Sequence, residues 1–132
     1  MGRKRTRKEL QTVEVLEKTL REEVSVSTDF DLPLTALALV IEDGWREEDV
    51  RRALAALRTA DVVAQPVPEE LLVVLPNTET DDARVVEERL REALPKATIG
   101  VAPYERGEAA EDLFERARAA VRQQAAENSE AT

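Results

Sequence analysis

Apolar runs and amphipathic stretches alternate along the chain, and this pattern predicts its secondary structure. Residues 34–41 and 71–75 are continuous apolar runs whose length is typical of strands buried on both faces. Residues 61–65 and 98–102 predict two shorter strands. Because residues 66–70 are too few for a crossover, the second and third strands are expected to form a hairpin.

Four helices are predicted where apolar residues recur at three- and four-residue steps, over residues 8–24, 46–59, 80–94 and 109–126. The first helix has a long apolar face and is expected to end in turn residues at 25–33. That face consists of Leu10, Val13, Leu16, Leu20 and Val24.

The order of these elements predicts an α+β fold. A helix precedes a β-α-β-β-α-β series and another helix follows it, which indicates a ferredoxin-like core with a four-stranded antiparallel sheet. Right-handed crossovers place the two internal helices on one face of this sheet, so the terminal helices or a partner subunit must cover the other. We expect a basic arm at 1–7, one domain at 8–126 and a polar tail at 127–132.

Composition narrows the possible chemistry. The chain lacks Cys and His, so thiolate catalysis and zinc or iron sites are not expected, and no cofactor is predicted. The net charge is −9, although residues 1–8 carry five basic side chains and no acid. An acidic body repels nucleic acids and anionic membranes, and the basic arm is expected to be solvated. No apolar run is long enough to span a membrane, which predicts a cytoplasmic protein, and the abundance of Arg, Ala, Glu and Val suggests a bacterial or archaeal source.

Two adjoining stretches carry a family pattern. Residues 57–94 read LRTADVVAQPVPEELLVVLPNTETDDARVVEERLREAL, and residues 97–121 read ATIGVAPYERGEAAEDLFERARAAV. This part of the chain resembles the second half of the diguanylate cyclase (GGDEF) domain. The resemblance implies an Asp-led strand, a signature hairpin, a strand ending in Leu-Pro, a charged helix, an Ile-Gly-Val-Ala strand and a closing helix, in that order.

The signature hairpin departs from the family pattern. In the family, two glycines let the backbone approach the nucleotide phosphates closely, and an acidic pair follows them. Here a branched side chain and an imino acid replace the glycines, and the imino acid lacks an N–H for a phosphate. The degenerate signature consists of Val67, Pro68, Glu69, Glu70 and Leu71.

Three further departures affect the family's metal-binding Asp, its guanine-binding residues and its phosphate-binding Lys. The family's metal-binding Asp falls at Glu42 or Asp43, and the acidic pair of the hairpin is expected to be solvated, so no metal site is predicted. The family's roughly fifteen residues that help bind guanine are missing, because the chain passes through Gly44 and Trp45 directly into a helix. Residues 120–125 lack the family's phosphate-binding Lys. We therefore predict no catalytic residues, no enzyme activity and a regulatory or dimerisation role in second-messenger signalling.

One element of the resemblance survives. Arg58 and Asp61 form an Arg-x-x-Asp motif, and five residues separate it from Val67, as in the family's inhibitory site for cyclic di-GMP. This predicts an alternative function as a cyclic di-GMP receptor. A purely structural role is also open, since a cation is favourable at a helix C-terminus and an Asp commonly caps a turn.

Two other interpretations stay open. The apolar face of the first helix indicates a homodimer or a protein partner. The fold pattern is also compatible with an unrelated ferredoxin-like regulatory domain. The aromatic side chains are expected to serve packing, in the core or at its edge: Phe30, Trp45, Tyr104 and Phe114.

Overall fold

The computed structural model describes residues 8–130, which form four helices and four strands. Their order is α1 (Val13–Phe30), β1 (Leu34–Val40), α2 (Glu47–Ala56), β2 (Val62–Val67), β3 (Glu70–Pro76), α3 (Thr80–Ala93), β4 (Thr98–Pro103) and α4 (Ala110–Glu130). The strands form one antiparallel sheet in the order β2-β3-β1-β4. The predicted α+β fold with a ferredoxin-like core is therefore confirmed.

Both faces of the sheet are covered, which explains why β1 and β3 are apolar along almost their whole length. Alternate residues of β1 point to opposite faces: Ala36 and Ala38 face one core, whereas Leu37 and Leu39 face the other. The first core lies under α1 and α4, and the second lies under α2 and α3. The terminal helices thus cover the face that the internal helices leave open.

Small residues let α4 pack closely on the sheet. A Cβ atom added to Gly100 of β4 would lie 2.2 Å from the carbonyl oxygen of Ala117 and 2.6 Å from the amide nitrogen of Val121. Ala102, Ala36 and Ala38 belong to the same core. The Ile-Gly-Val-Ala strand therefore has a packing reason for its glycine.

The terminal helices differ from their predicted bounds. α1 starts at Val13 because the hydroxyl of Thr12 accepts the backbone N–H of Val15 as an N-cap. The same helix continues through the predicted turn residues to Phe30, and Asp31 ends it in the left-handed conformation. α4 runs to Glu130, past the predicted start of a polar tail. No helix in the described part of the chain has the length and apolar character that a membrane crossing requires.

The aromatic side chains follow the prediction with one exception. Phe114 is buried in the first core, Tyr104 packs at its edge, and Trp45 packs against the second core. Phe30 was predicted to pack in the core or at its edge, but it is 70% exposed at the end of α1. Phe30 is the last residue of α1, three positions beyond Ser27, which is the last buried residue of the helix, so it lies past the part of α1 that packs on the sheet.

Candidate functional site

The hairpin between β2 and β3 carries the degenerate signature. Val67 is the last residue of β2, Pro68 and Glu69 form the turn, and Glu70 begins β3. Val67 is 47% exposed, whereas Leu71 is fully buried against α2 and α3. β2 is an edge strand, and its pairing with β3 is irregular between Ala64 and Val67. Edge strands and irregular pairings of this kind are the places in a sheet where prolines are tolerated.

The loop between β1 and α2 closes over this hairpin turn. The N–H of Ile41 donates to the carbonyl oxygen of Glu69 at 3.0 Å, and the N–H of Trp45 donates to the carbonyl oxygen of Pro68 at 2.9 Å. The indole Nε1 of Trp45 donates to the carbonyl of Glu69 at 3.0 Å. Gly44 makes the bend in this loop, with a φ of 93°. The turn therefore presents carbonyl oxygens to a loop that is hydrogen-bonded to it.

The acidic pair of the signature is divided between two environments. Glu69 is exposed, as predicted, but the prediction that Glu70 is solvated is wrong. Glu70 is 8% exposed and accepts hydrogen bonds from Nε and Nη2 of Arg118 at 2.8 and 3.0 Å. Arg118 also donates to Glu115, and these carboxylates raise the pKa of its guanidinium. The reason for the difference is that α4 packs close enough to the sheet to bring Arg118 onto the first residue of β3.

The carboxylates near the hairpin do not converge on one point in the described part of the chain. Glu42 and Asp43, at the end of β1, are both exposed. Within residues 8–130, no three Asp or Glu side chains come together in a way that could hold a metal ion. Because Glu70 is already paired with a cation, the hairpin offers only the single exposed carboxylate of Glu69.

Arg58 and Asp61 lie together at the other end of β2, in the connection from α2. The Asp61 carboxylate is fully buried and accepts the backbone N–H of Arg58 at 2.8 Å. It also accepts Nε of Arg58, at 3.1 and 3.2 Å, and Nη2 at 2.8 Å. The hydrogen bond to Asp61 raises the pKa of Arg58. The motif is thus a closed ion pair, and Asp61 can reach a ligand only if this pair opens.

Two further residues complete this cluster, and sequence reasoning missed both. Thr78 is buried, accepts Nη2 of Arg58 at 2.5 Å and donates to the carbonyl of Pro76 at 2.7 Å. Nζ of Lys8 donates to the carbonyl oxygens of Thr59, at 2.9 Å, and of Asp61. The predicted basic arm at 1–7 lies outside the described residues, and Lys8, the residue that follows it, is bound to these two carbonyls. Neither contact has a signal in the sequence, since each joins residues that lie far apart along the chain.

Fold and site together define a ferredoxin-like domain with a closed signature hairpin and an Arg-Asp pair beside β2. The profile of the family described as a GGDEF-like domain matches residues 12–123. The chain belongs to this family, which excludes the interpretation as an unrelated ferredoxin-like domain.

Solved structures share this fold. The diguanylate cyclase SiaD from Pseudomonas aeruginosa, in complex with its activator SiaC, is 25% identical with a TM-score of 0.81; the match covers 89% of this chain and 56% of the SiaD chain. The GGDEF domain of DgcB from Caulobacter crescentus, in complex with c-di-GMP, is 14% identical with a TM-score of 0.78 over 97% of this chain and 94% of that one. The active GGEEF domain of a diguanylate cyclase from Vibrio cholerae is 15% identical with a TM-score of 0.77, covering 87% and 90% of the two chains. No protein with a curated description matches the chain by sequence.

Proposed function

We propose that this GGDEF-like domain does not synthesise cyclic di-GMP and acts as a regulatory or assembly module in cyclic di-GMP signalling, in the cytoplasm. The observation that carries the proposal is the closed hairpin. The carbonyl oxygens of Pro68 and Glu69 are bound by Ile41 and Trp45, at the turn where the family resemblance implies a cradle for phosphates. A phosphate needs N–H donors, and these two turn positions supply acceptors that the loop already engages.

Side chains at the hairpin support the same conclusion. Val67 adds a branched side chain and Pro68 contributes no N–H donor. Glu70 is neutralised by Arg118, so it cannot hold a metal ion unless that ion pair breaks. Catalysis of phosphoryl transfer consists almost entirely of positioning and charge stabilisation by metals and cations. Loss of a phosphate-binding N–H and of a free metal-binding carboxylate therefore removes groups that this catalysis needs.

The length of the β1–α2 connection supports it further. Only residues 41–46 join β1 to α2, which leaves no room for the insertion that the resemblance implies for guanine binding. The α4 residues 120–125 provide Arg122 but no Lys. Phosphate cradle, base pocket and terminal cation are therefore altered together.

A synthesis assay tests this proposal. The purified protein is incubated with GTP and Mg²⁺, and the products are separated by chromatography. The active GGEEF domain from Vibrio cholerae serves as the positive control under the same conditions. We expect product from the control and none from this protein; synthesis by this protein at a measurable rate would overturn the proposal.

A second candidate function is that of a cyclic di-GMP receptor through Arg58 and Asp61. The observation that favours it is that Arg58 keeps 35% of its side chain exposed although it is paired with Asp61. A ligand that binds only the folded protein must raise its melting temperature. We expect cyclic di-GMP, but not GTP, to raise Tm in the wild type and not in Arg58→Ala, with the exposed Arg89→Ala as the matched control. An unchanged wild-type Tm at ligand concentrations up to about 1 mM, which corresponds to only about −4 kcal/mol of binding, would remove this candidate.

A protein partner or a second copy of the chain is the expected contact of α1. The apolar face that motivated this prediction is largely used inside the domain, because Leu16 and Leu20 pack on the sheet. What remains for a partner is the exposed set Val15, Val26 and Phe30. Light scattering across a concentration series tests the homodimer: a dimer that Phe30→Glu converts to a monomer supports it, and a monomer at all concentrations removes it.

A further inference from the structure

Residues 8–11, here called the N-terminal strap, lie along the outer edge of β2. The backbone N–H of Gln11 donates to the carbonyl of Val63 at 2.7 Å, in a parallel bridge with Ala64. At the start of the strap, Lys8 donates to the carbonyl oxygens of Thr59 and Asp61. The strap thus connects the chain before the domain to the turn that carries Arg58.

The strap brings a second cation to Arg58. Burial lowers the pKa of Lys8, the carboxylate of Asp61 raises it, and the nearby charge of Arg58 lowers it again. Lys8 contacts the backbone carbonyl of Asp61, and the carboxylates of Asp61 and Asp82 partly offset the charges of the two cations, which nonetheless repel each other. An anion placed between the two cations would relieve their repulsion.

Both cations keep donors for such an anion. Arg58 uses Nε and Nη2 for Asp61 and Thr78, while its Nη1 makes no hydrogen bond to the described residues. Lys8 has three N–H donors and two carbonyl acceptors. An anion can therefore bind here without opening the Arg58–Asp61 ion pair.

We propose that Lys8 and Arg58 together form a two-cation site for a phosphate group, and that this site is complete only while the N-terminal strap is paired with β2. The inference rests on the proposed receptor function and adds to it a residue and a form of regulation. A phosphodiester would accept from Nη1 of Arg58 and from the third N–H of Lys8. The body of the ligand then lies over the exposed outer side of the connection between α2 and β2, where Thr59 and Ala60 are exposed.

The site couples ligand binding to the preceding chain. A phosphate that bridges Lys8 and Arg58 stabilises the docked strap, and by linkage a docked strap raises the affinity for the phosphate by the same factor. Any partner or domain that pulls the strap from β2 removes Lys8 and weakens the site. The affinity for phosphate at Arg58 therefore depends on whether the strap is docked on β2.

Calorimetric titration of the full chain with cyclic di-GMP and, separately, with inorganic pyrophosphate tests the inference. Lys8→Gln removes the second cation, and Lys18→Gln removes the same charge from the exposed side of α1 as the matched control. We expect Lys8→Gln to weaken binding about fivefold to tenfold and Lys18→Gln to change it less than twofold. Gln11→Pro, which removes the N–H that pairs with Val63, should weaken binding as Lys8→Gln does, and thermal melts show whether each variant is folded.

The outcomes separate the possible failures. The two-cation site is supported when Lys8→Gln weakens the binding that the wild type shows. If only cyclic di-GMP binds, the site recognises a dinucleotide; if pyrophosphate binds as well, the phosphate group is the main determinant of binding. Wild-type binding that Lys8→Gln leaves unchanged overturns the two-cation site but keeps the receptor function. Binding of neither anion overturns both, and it leaves the absence of synthesis activity to be judged by its own assay.

Discussion

Gly100 determines how closely α4 approaches the sheet. Gly100→Ala would place a Cβ atom 2.2 Å from a backbone oxygen of α4, and backbone cannot move aside as a flexible side chain does. We expect a loss of about 3 kcal/mol of folding free energy, at the upper end for overpacking, and a fall in Tm of roughly 10 °C.

Gly107→Ala is the matched control for this substitution. Gly107 has a φ of 92°, and a Cβ atom there would meet nothing within 4 Å. Its loss should be about 1 kcal/mol, from backbone strain alone. Equal losses in the two variants, measured by denaturant unfolding, would contradict the close packing of α4.

Glu108, in the loop just before α4, gives the stability of the domain a pH dependence. Its carboxylate accepts Nε of Arg116 at 2.6 Å and Nη2 at 2.7 Å, and these bonds lower its pKa below the ordinary value of 4.5. A depressed carboxyl pKa stabilises the fold above the unfolded-state pKa, and this stabilisation is lost as the pH falls through the folded-state pKa. We therefore expect stability to fall below about pH 4.5 through this group.

Glu108→Gln separates this contribution from those of other carboxylates. The variant should lose about 1–2 kcal/mol at pH 7, typical of a hydrogen bond to a charged group. The difference from the wild type should shrink as the pH falls toward 3. Melting temperatures measured between pH 3 and pH 7 give this comparison, and a constant difference across the range would show that Glu108 acts through packing and not through its charge.

The hairpin and the loop that closes on it act as one element. If Val67 and Pro68 alone blocked synthesis, restoring glycine at both positions would restore activity. Because the β1–α2 loop also binds the turn and Glu70 stays paired with Arg118, we expect Val67→Gly/Pro68→Gly to make no cyclic di-GMP. The added chain entropy should lower stability by about 1–2 kcal/mol in total. Detectable synthesis in the GTP assay would show that the two side chains were the whole obstacle.

The elements could be predicted where burial dictates the pattern. β1 and β3 are buried on both faces, and their apolar runs identified them to within a residue or two of each end. α1 was misjudged at both ends, because its cap at Thr12 and the buried Ser27 are weak signals in sequence. Ser and Thr favour turns in isolation, but tertiary packing overrides that preference here.

The candidate site was predictable only within short stretches of chain. The Arg58–Asp61 spacing and the altered hairpin are local, so both could be recognised in the sequence, and the structure pairs Arg58 with Asp61. The pairing of Glu70 with Arg118 joins residues 48 positions apart, and that of Lys8 with Asp61 joins residues 53 apart. Such contacts depend on how α4 and the strap pack, which no local pattern specifies. As a result, Glu70 was predicted to be solvated, and the contacts of Lys8 were not predicted.

The charge of the whole molecule predicts its response to salt. With a net charge of −9, the folded chain repels itself over distances that low salt does not screen. Raising NaCl from about 10 to about 150 mM shortens the Debye length from about 30 to about 8 Å, which screens this repulsion but affects partly buried pairs such as Arg58–Asp61 much less. We expect Tm to rise by a few degrees over this range, and Glu88→Gln/Glu92→Gln, which removes two exposed negative charges, to reduce the rise. A Tm that falls with salt would mean that exposed ion pairs such as Arg91–Glu87 outweigh the long-range repulsion.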